Sequence, residues 1–491
     1  MQDHNGINQT NDPSLFTLHA LMIKLIIEKE LREIIGSTRF AITFGACSLL
    51  LLLSFYVGAK NFQISVEQYD ASKREDLRKL EGVTDWNMVR DLRIFLPPQP
   101  ITSLVMGVSN DIGRTVEVRG SGELNGIESR YGDDPIYAVF RFLDLDFIFQ
   151  IILSLFAILF AYDAVNGEKE RGTLRLTLAN AVPRSSYILG KMAGSFLALA
   201  VPLLIPMLLG VLILVIMGIP MEGEDWLRLG LVVLAGYLYF TVFLSLGMLV
   251  SSRTEKSSTS FLYLLVFWIL SVMIVPRTAV LLAGRAVDVP SVDQLASEKS
   301  RYSASLWQDQ RKKMSEFRAP ENTPPPKMME EFQKFMSSLG EEREKKMSEF
   351  SARLNEKRSN MQREQEMLAF SLARVSPSAV FSLVSTTIAG TGIHLKDLYK
   401  TEAERYQQSY AEFIRGKTGQ NPGGGMVFRF TTGDDEKKEP INPHEIPVFN
   451  FQKEPLSASF GPISIDFGIL VLFSLLFFVG AFRSFLRYDV R

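Results

Sequence analysis

Gly416-Lys417-Thr418 is the first place to look for chemistry, because those residues close the loop that cradles nucleotide phosphates. That loop also needs a glycine five positions earlier and a strand leading into it. Ala411 stands there instead, and the pattern predicts no strand before it. His444-Glu445 opens like a zinc-protease helix, yet the second histidine is replaced by Val448 and Pro447 breaks the turn. The four histidines, His4, His19, His394 and His444, are too scattered to ligate a metal at helical spacing. Cys47 is the single cysteine, which excludes a disulfide framework or a thiolate metal site within the chain. Its place in an apolar run suits a small buried thiol. Methionines gather at Met314, Met328, Met329, Met336, Met347, Met361 and Met367. Thioethers can hold Cu(I), but flexible side chains along a helical seam pack more often than they ligate. No G-x-S-x-G elbow occurs. The chain thus offers no catalytic residue, metal site or cofactor site of its own, and any nucleotide must be bound by a second polypeptide.

What remains is electrostatic. In 160–191 an apolar run stops at Asp163, a charged and turn-prone stretch follows, and a longer apolar run begins at Met192. The stretch carries Lys169, Arg171, Arg175, Arg184 and Lys191, a basic excess that places it in the cytoplasm. Within it, 173–178 predicts a short helix with Leu174 and Leu178 on one side, opened by 168–172 and ended by Pro183. A short helix carried between two membrane helices can push on them or be pushed.

The elements that must position this loop are apolar blocks. A formal net charge of -1 gives no electrostatic case for nucleic acid. Six stretches predict membrane spans, at 40–59, 147–163, 192–221, 229–252, 257–276 and 463–483, each near the ~20 residues needed to cross ~30 Å of hydrocarbon. Arg32 and Arg39, Arg253 and Lys256, and Arg483, Arg487 and Arg491 fall on the same side as the 164–191 loop if both termini are cytoplasmic. The prediction is a mainly α, multi-pass membrane protein. Residues 1–39 form a tail and an amphipathic elbow helix at the inner interface, and 484–491 a short cytoplasmic tail.

Two segments lie on the far side. Residues 60–146 predict a charged helix near 71–80, a rigid break at 95–100 and a few short strands within 103–118, a small mixed α/β unit. Residues 284–460 predict an αα-hairpin over 291–374, its two charged helices separated by the proline-rich turn 319–326. After it, 375–392 is apolar but short and reads as an interfacial or re-entrant helix. A span there would reverse the charge signal of Arg483, Arg487 and Arg491. A further amphipathic helix over 398–415 and a loop over 421–447 complete the segment. Asp144, Asp146 and Asp466 read as headgroup-level residues that end the second and sixth spans, although buried acids in membranes can mark a pathway. Pro202 and Pro206 bend the third span or free carbonyls to line a cavity.

The order Asp163, Glu168, Glu170, Gly172-Thr173-Leu174, Pro183-Arg184, Gly190-Lys191 resembles the cytoplasmic coupling region of ABC-2 type transporter permeases. The resemblance implies a permease subunit of an ATP-binding cassette transporter, in the inner membrane of a bacterium. It would pair with a second permease copy or paralogue and with cytoplasmic ATPase subunits that bind the ATP. It places Glu168, Glu170, Arg171, Gly172, Thr173, Leu174, Arg175, Pro183 and Arg184 at the ATPase coupling. Membrane lipid surrounds such a subunit, and the enlarged outer segments suit an extracytoplasmic protein partner. The competing expectation is a mechanical subunit that drives an envelope partner and translocates nothing. A pore should be lined with small polar residues. The first, fourth and fifth spans offer only Ser54, Thr241 and Ser245 as sparse polar points.

Overall fold

The computed structural model describes residues 13–89, 92–109, 112–118, 124–127, 144–180, 182–317, 325–419 and 440–487. The described chain is mostly helical. Helix α1 spans Pro13–Ile35, and α2 spans Thr38–Arg78 behind an N-cap at Ser37, whose hydroxyl accepts from the Phe40 N–H. The span expected to end at residue 59 therefore continues as helix for another five turns. Lys60 ends the apolar run, but the residues after it are helix formers without Gly or Pro, so nothing breaks the hydrogen-bond ladder. The helix predicted near 71–80 is the end of this one.

Strands β1 (Leu92–Phe95), β2 (Thr115–Val118) and β3 (Asn125–Ile127) form a three-stranded antiparallel sheet in that order, with Leu92 opposite Val118 and Thr115 opposite Ile127. Among the described residues of the predicted strand region, only β2 forms a strand. Residues 100–103 coil into a 3-10 turn, because Pro100 fixes a helical φ at its start.

Helix α3 covers 145–161 and contains a π-helical turn over Ile148–Leu153, just after its first α-helical residues. The short helices α4 (Asn166–Glu170) and α5 (Thr173–Ala179) lead to α6 (Arg184–Ile216), which runs unbroken through Pro202 and Pro206. Then come α7 (Gly223–Arg253) and α8 (Ser257–Ala286), the latter with its own π turn over Ile269–Ile274. The hairpin helices are α9 (Val292–Glu316) and α10 (Pro325–Ala373). They are followed by α11 (Pro377–Ala389), α12 (His394–Thr418) and α13 (Phe460–Leu486).

Among the described residues, seven helical stretches are long and apolar enough to cross a membrane, where the sequence pattern predicted six. The seventh is 377–418, two helices meeting at Gly390, whose φ of 69° closes α11. Helix α11 alone has 13 residues, about 20 Å, and 12 of them are buried.

The main core joins α2, α3, α6, α7, α8, α11 and α13 around Phe55, Phe149, Phe156, Tyr239, Phe243 and Phe381, with Cys47 buried as expected. The α3–α7 contact is close: a Cβ on Gly236 would lie 2.3 Å from the Phe149 ring. Apolar lipid gives helices little hydrophobic reason to associate, so hydrogen bonds between them matter. Trp268 Nε1 donates to Ser154 Oγ at 2.8 Å, and the Tyr239 hydroxyl donates at 3.0 Å to the Gln150 carbonyl within the π turn. A second core packs the sheet against α12, where the Tyr399 hydroxyl donates to the Ile94 and Arg114 carbonyls.

The hairpin is a real shaft. Tyr302 stacks on Phe350 at 4.0 Å, the Arg343 guanidinium lies 3.7 Å over Trp307, and Lys313 pairs with Glu342 at 2.8 Å. Helix α10, at 49 residues, is about 70 Å long. Pro325 and Pro326 belong to its first turn, and the rest of the predicted turn lies outside the described residues, as does 421–439 of the predicted loop. The acids read as headgroup-level helix ends are instead buried. Asp466 pairs with Arg374 at the foot of α10 (2.5 and 3.0 Å), Asp144 caps α3, and Asp146 faces α11. Apart from the local cap that Asp144 makes with Phe147, their partners come from distant sequence, which is why spacing alone placed them at the surface.

Candidate functional site

The loop end of the bundle is built around two short helices that face different neighbours. Helix α4 follows α3 after one irregular turn and stops at Gly172, whose φ of 72° an L side chain rarely adopts. That reversal turns α5 so that Leu174, only 1% exposed, packs with Val165, Tyr187, Ile188 and Phe485, with Leu178 and Ile26 against them. The predicted apolar side of α5 is the side that packs. Pro183 is the N-cap of α6, and the helix ends at Ala179, short of the proline.

A buried charge cluster ties α4 to its surroundings. Glu168 Oε1 accepts from Lys191 Nζ at 3.0 Å and Lys29 Nζ at 3.2 Å, while its Oε2 accepts from the Tyr187 hydroxyl at 2.5 Å. Lys191 Nζ also donates to Glu30 Oε2 at 2.8 Å, and Ser195 Oγ to Glu30 Oε1 at 3.1 Å. Two carboxylates and two ammonium groups from α1, α4 and α6 therefore compensate one another where a lone charge would be costly. Helix α1 reaches this position because Gly190 and Gly194, four apart on α6, leave room. A Cβ on either would lie 2.8–2.9 Å from Ile26 or Glu30. Oxygens of Glu30, Glu33 and Glu168 lie within 4.8 Å of one another, a spacing that suits a metal. Lys29 and Lys191 supply the positive charge there instead.

A second set of contacts holds the same segment to the α7–α8 turn. The Ser251 hydroxyl accepts from the backbone N–H groups of Val165 and Asn166, and Asn166 Nδ2 donates to Thr254 Oγ1 at 2.9 Å. Lys169 Nζ donates to the Ser252 carbonyl at 2.7 Å. Glu170 accepts from both the backbone N–H and the hydroxyl of Ser257, each at 2.9 Å, and so caps α8 from outside. Arg184 donates to the Leu486 carbonyl at the end of α13 (3.0 Å), and Arg39 pairs with Asp163 at 2.9 Å.

The predicted coupling residues thus divide into two groups. Glu168 and Leu174 point inward and brace the segment. Glu170, Arg171, Thr173 and Arg175 are exposed at the surface of α4 and α5, with Gly172 and Pro183 shaping the turns. Arg171 folds back, its Nε donating to the Gly167 carbonyl. Sequence reasoning missed Leu176, a large apolar side chain 69% exposed beside Arg175. It also missed Glu30, Tyr187, Ser251 and Ser257. No spacing rule links residues so far apart, although the i, i+4 pair Gly190 and Gly194 signals a close helix contact.

A family model described as "ABC-2 family transporter protein" matches residues 25–490, from α1 to the end of α13. Over 113 residues the chain is 39% identical to "Probable ABC transporter permease protein NosY" of Pseudomonas aeruginosa, covering 22% of this chain and 40% of that protein. Over 125 residues it is 31% identical to the protein of the same name from Stutzerimonas stutzeri, covering 25% and 45%. The chain therefore spans less than half the length of these curated relatives. With the second half of α1, the braced loop and the apolar helices all inside the matched region, the chain belongs to the ABC-2 family of transporter proteins.

Proposed function

We propose that this protein is the membrane-spanning permease subunit of an ABC transporter and that α4 and α5 receive motion from a separate ATPase. The carrying observation is that α5 is rigidly held below and bare above. Leu174 and Leu178 pack inward, α4 is tied to α1, α6, α7 and α8, and the opposite face presents Leu176 in the open. Together with exposed Arg171 and Arg175, Leu176 gives the braced short helix a mixed basic and apolar face that another protein can engage, and Arg is among the residues that anchor interfaces. ATP-driven closure of two ATPases would press this face and move the second and third spans, whose ends it joins.

Six spans with both termini cytoplasmic fit this reading, in the inner membrane of a bacterium. The Lys/Arg distribution supports that topology. So does α11, which at about 20 Å is too short to cross ~30 Å of hydrocarbon. The exposed apolar faces of α2 and α8 (Ile42, Leu49, Leu53; Phe261, Leu262, Leu270) would meet lipid or a second permease copy.

One observation favours a mechanical role over substrate passage. The polar points of the first and fourth predicted spans turn away from the outer faces: Ser54 and Ser245 are buried, and Thr241 donates to the Tyr237 carbonyl. A long shaft fixed by Arg374–Asp466 suits transmission of force to an extracytoplasmic partner.

Leu176→Asp tests the contact. Purified from its native membrane in mild detergent, the variant should lose at least about tenfold of the ATPase that accompanies the wild-type chain. Its own yield and thermal midpoint should not change, because Leu176 touches solvent. Stoichiometric ATPase on a well-folded variant, and on the Leu176→Asp/Glu170→Arg double variant, would overturn the assignment.

A further inference from the structure

At the hairpin end of the bundle, the ends of α7, α11 and α13, the start of α12 and the foot of α10 enclose a cavity of ≈ 90 Å³. A water needs about 15 Å³ of such space, so there is room for about six, or for one small polar group. Ile101, Phe370, Leu383, Ile393 and Leu398 supply the apolar part of its wall. Gln99 and Ser459, each 8% exposed, bring an amide and a hydroxyl to it. Both stand at helix N-caps, and neither side chain makes the cap bond its position invites. An apolar cavity on which a few polar groups converge is the usual form of a ligand site.

The charged residues of the wall indicate the ligand. Arg374 spends Nε and Nη2 on Asp466, and a guanidinium has further N–H donors on Nη1. Lys453 Nζ carries three N–H donors and reaches Asp225 at 3.4 Å. The acids in these pairs have less to give. Asp466 receives both bonds from Arg374, and Asp225 accepts from Lys453 on one oxygen and from the Glu222 N–H on the other. Arg228 is turned to Glu224 and to the carbonyls of Ile388 and Glu454. The spare capacity of the pairs is therefore in donors, which suits an acceptor such as phosphate. Glu454 lines the same cavity, where a carboxylate suits a cation. By charge, Asp225, Glu454 and Asp466 balance Arg228, Arg374 and Lys453, so a ligand of zero net charge fits best.

Exposed apolar side chains border the Arg374–Asp466 pair. Leu372 and Val375 flank Arg374, and Phe460 and Ile465 share the first two turns of α13 with Asp466. In a membrane protein such a border belongs against hydrocarbon, so this wall of the cavity lies beside lipid. We infer that the cavity binds the head group of a zwitterionic phospholipid, its phosphate on Arg374 and Lys453 and its primary ammonium on Glu454, while the acyl chains stay in the membrane. The same chemistry exists in a soluble glycerophospho-amine, which has no chains to hold it there. A bound head group would bridge α10, α13 and the 453–454 segment, and so hold the foot of the hairpin to the bundle. The site rests on the membrane topology proposed above and not on the ATPase contact, so the chain without its ATPase tests it separately.

The test reconstitutes the full-length chain in bilayers of phosphatidylethanolamine, phosphatidylcholine and phosphatidylglycerol in equal parts. After extraction in mild detergent, native mass spectrometry reads which lipids stay with it. Wild type should retain phosphatidylethanolamine at least about tenfold over phosphatidylglycerol, which has no ammonium. It should also prefer it to phosphatidylcholine, whose ammonium has no N–H to donate. Glu454→Gln should lose the preference, and Glu454→Lys should turn it toward phosphatidylglycerol. Leu383→Trp, which fills the cavity, should retain none of the three; if it does not accumulate, Glu454→Lys decides. Soluble glycerophosphoethanolamine separates the two sources. Displacement of the lipid shows that the head group alone is bound, and lipid retained in its presence shows that the chains are needed; both outcomes keep the site. Retention without preference, preference of the wild type for phosphatidylglycerol, or equal retention by wild type and the Glu454 variants overturns it.

Discussion

Lys191 shows how far one residue's role can depart from its sequence signature. In the sequence it is one of five basic residues that mark a loop as cytoplasmic. In the fold its side chain is 4% exposed and lies between two carboxylates from different helices. Lys191→Met leaves Glu30 and Glu168 facing each other with only half-exposed Lys29 nearby. The expected cost is about 3–5 kcal/mol, read as a large fall in thermal midpoint. Adding Glu30→Gln and Glu168→Gln should recover much of that loss, since no uncompensated charge remains. A triple variant no more stable than Lys191→Met would mean that packing, not charge, is what Lys191 supplies. The acidic and basic residues of this site were legible as a motif, but their pairing was not. Charge spacing reports which residues share a loop, whereas Glu30 and Glu168 meet only because Gly190 and Gly194 let α1 settle on α6.

At the scale of elements, the sequence located helices well and their ends poorly, for an identifiable reason. Lys60 and Asp146 bound the apolar runs, but helices obey hydrogen-bond continuity instead, so α2 ran on to Arg78 and α3 began earlier, at Leu145. Strand β1 was hidden by the prolines that follow it. Helix α11 was readable as short and apolar, but only tertiary packing could show it threaded between α7 and α13. The contact between α10 and α12 carries its own pH dependence. Burial, together with Asp397 nearby, pushes the Glu366 carboxyl up to about 7, with Lys396 and Arg363 opposing. The folded state thus holds this proton more tightly than the unfolded chain. The group costs nothing below its unfolded pKa of 4.5, and stability is lost as pH rises from there through about 7. Glu366→Gln should flatten that slope and gain about 2 kcal/mol at pH 8. Hydrogen exchange of α12 amides across this range measures it, and an unchanged slope in the variant would place the titration elsewhere.

For the whole molecule, the decisive feature is that both ends of the bundle are tied to the same helices. The loop end holds α6, α7, α8 and α13 through Lys191, Asn166, Glu170 and Arg184. The hairpin end holds α13 to the foot of α10 through the bidentate Arg374–Asp466 pair, and α8 continues directly toward the shaft. Packed helices shift between discrete arrangements rather than bending, so a displacement at one end should reappear at the other. Spin labels at Ala71 on α2 and Ser338 on α10, both exposed, report the shaft against the bundle. In the complete complex, their separation should change by more than about 5 Å between nucleotide-free and ATP-trapped states, the scale of one helical turn. Arg374→Ala with Asp466→Asn removes both members of the anchor and leaves no stranded charge. In that variant the ATPase should stay bound while the distance change disappears. A change that persists without the anchor would show that motion reaches the hairpin through α8 alone, and a wild-type complex with no change would rule out the shaft as a moving part.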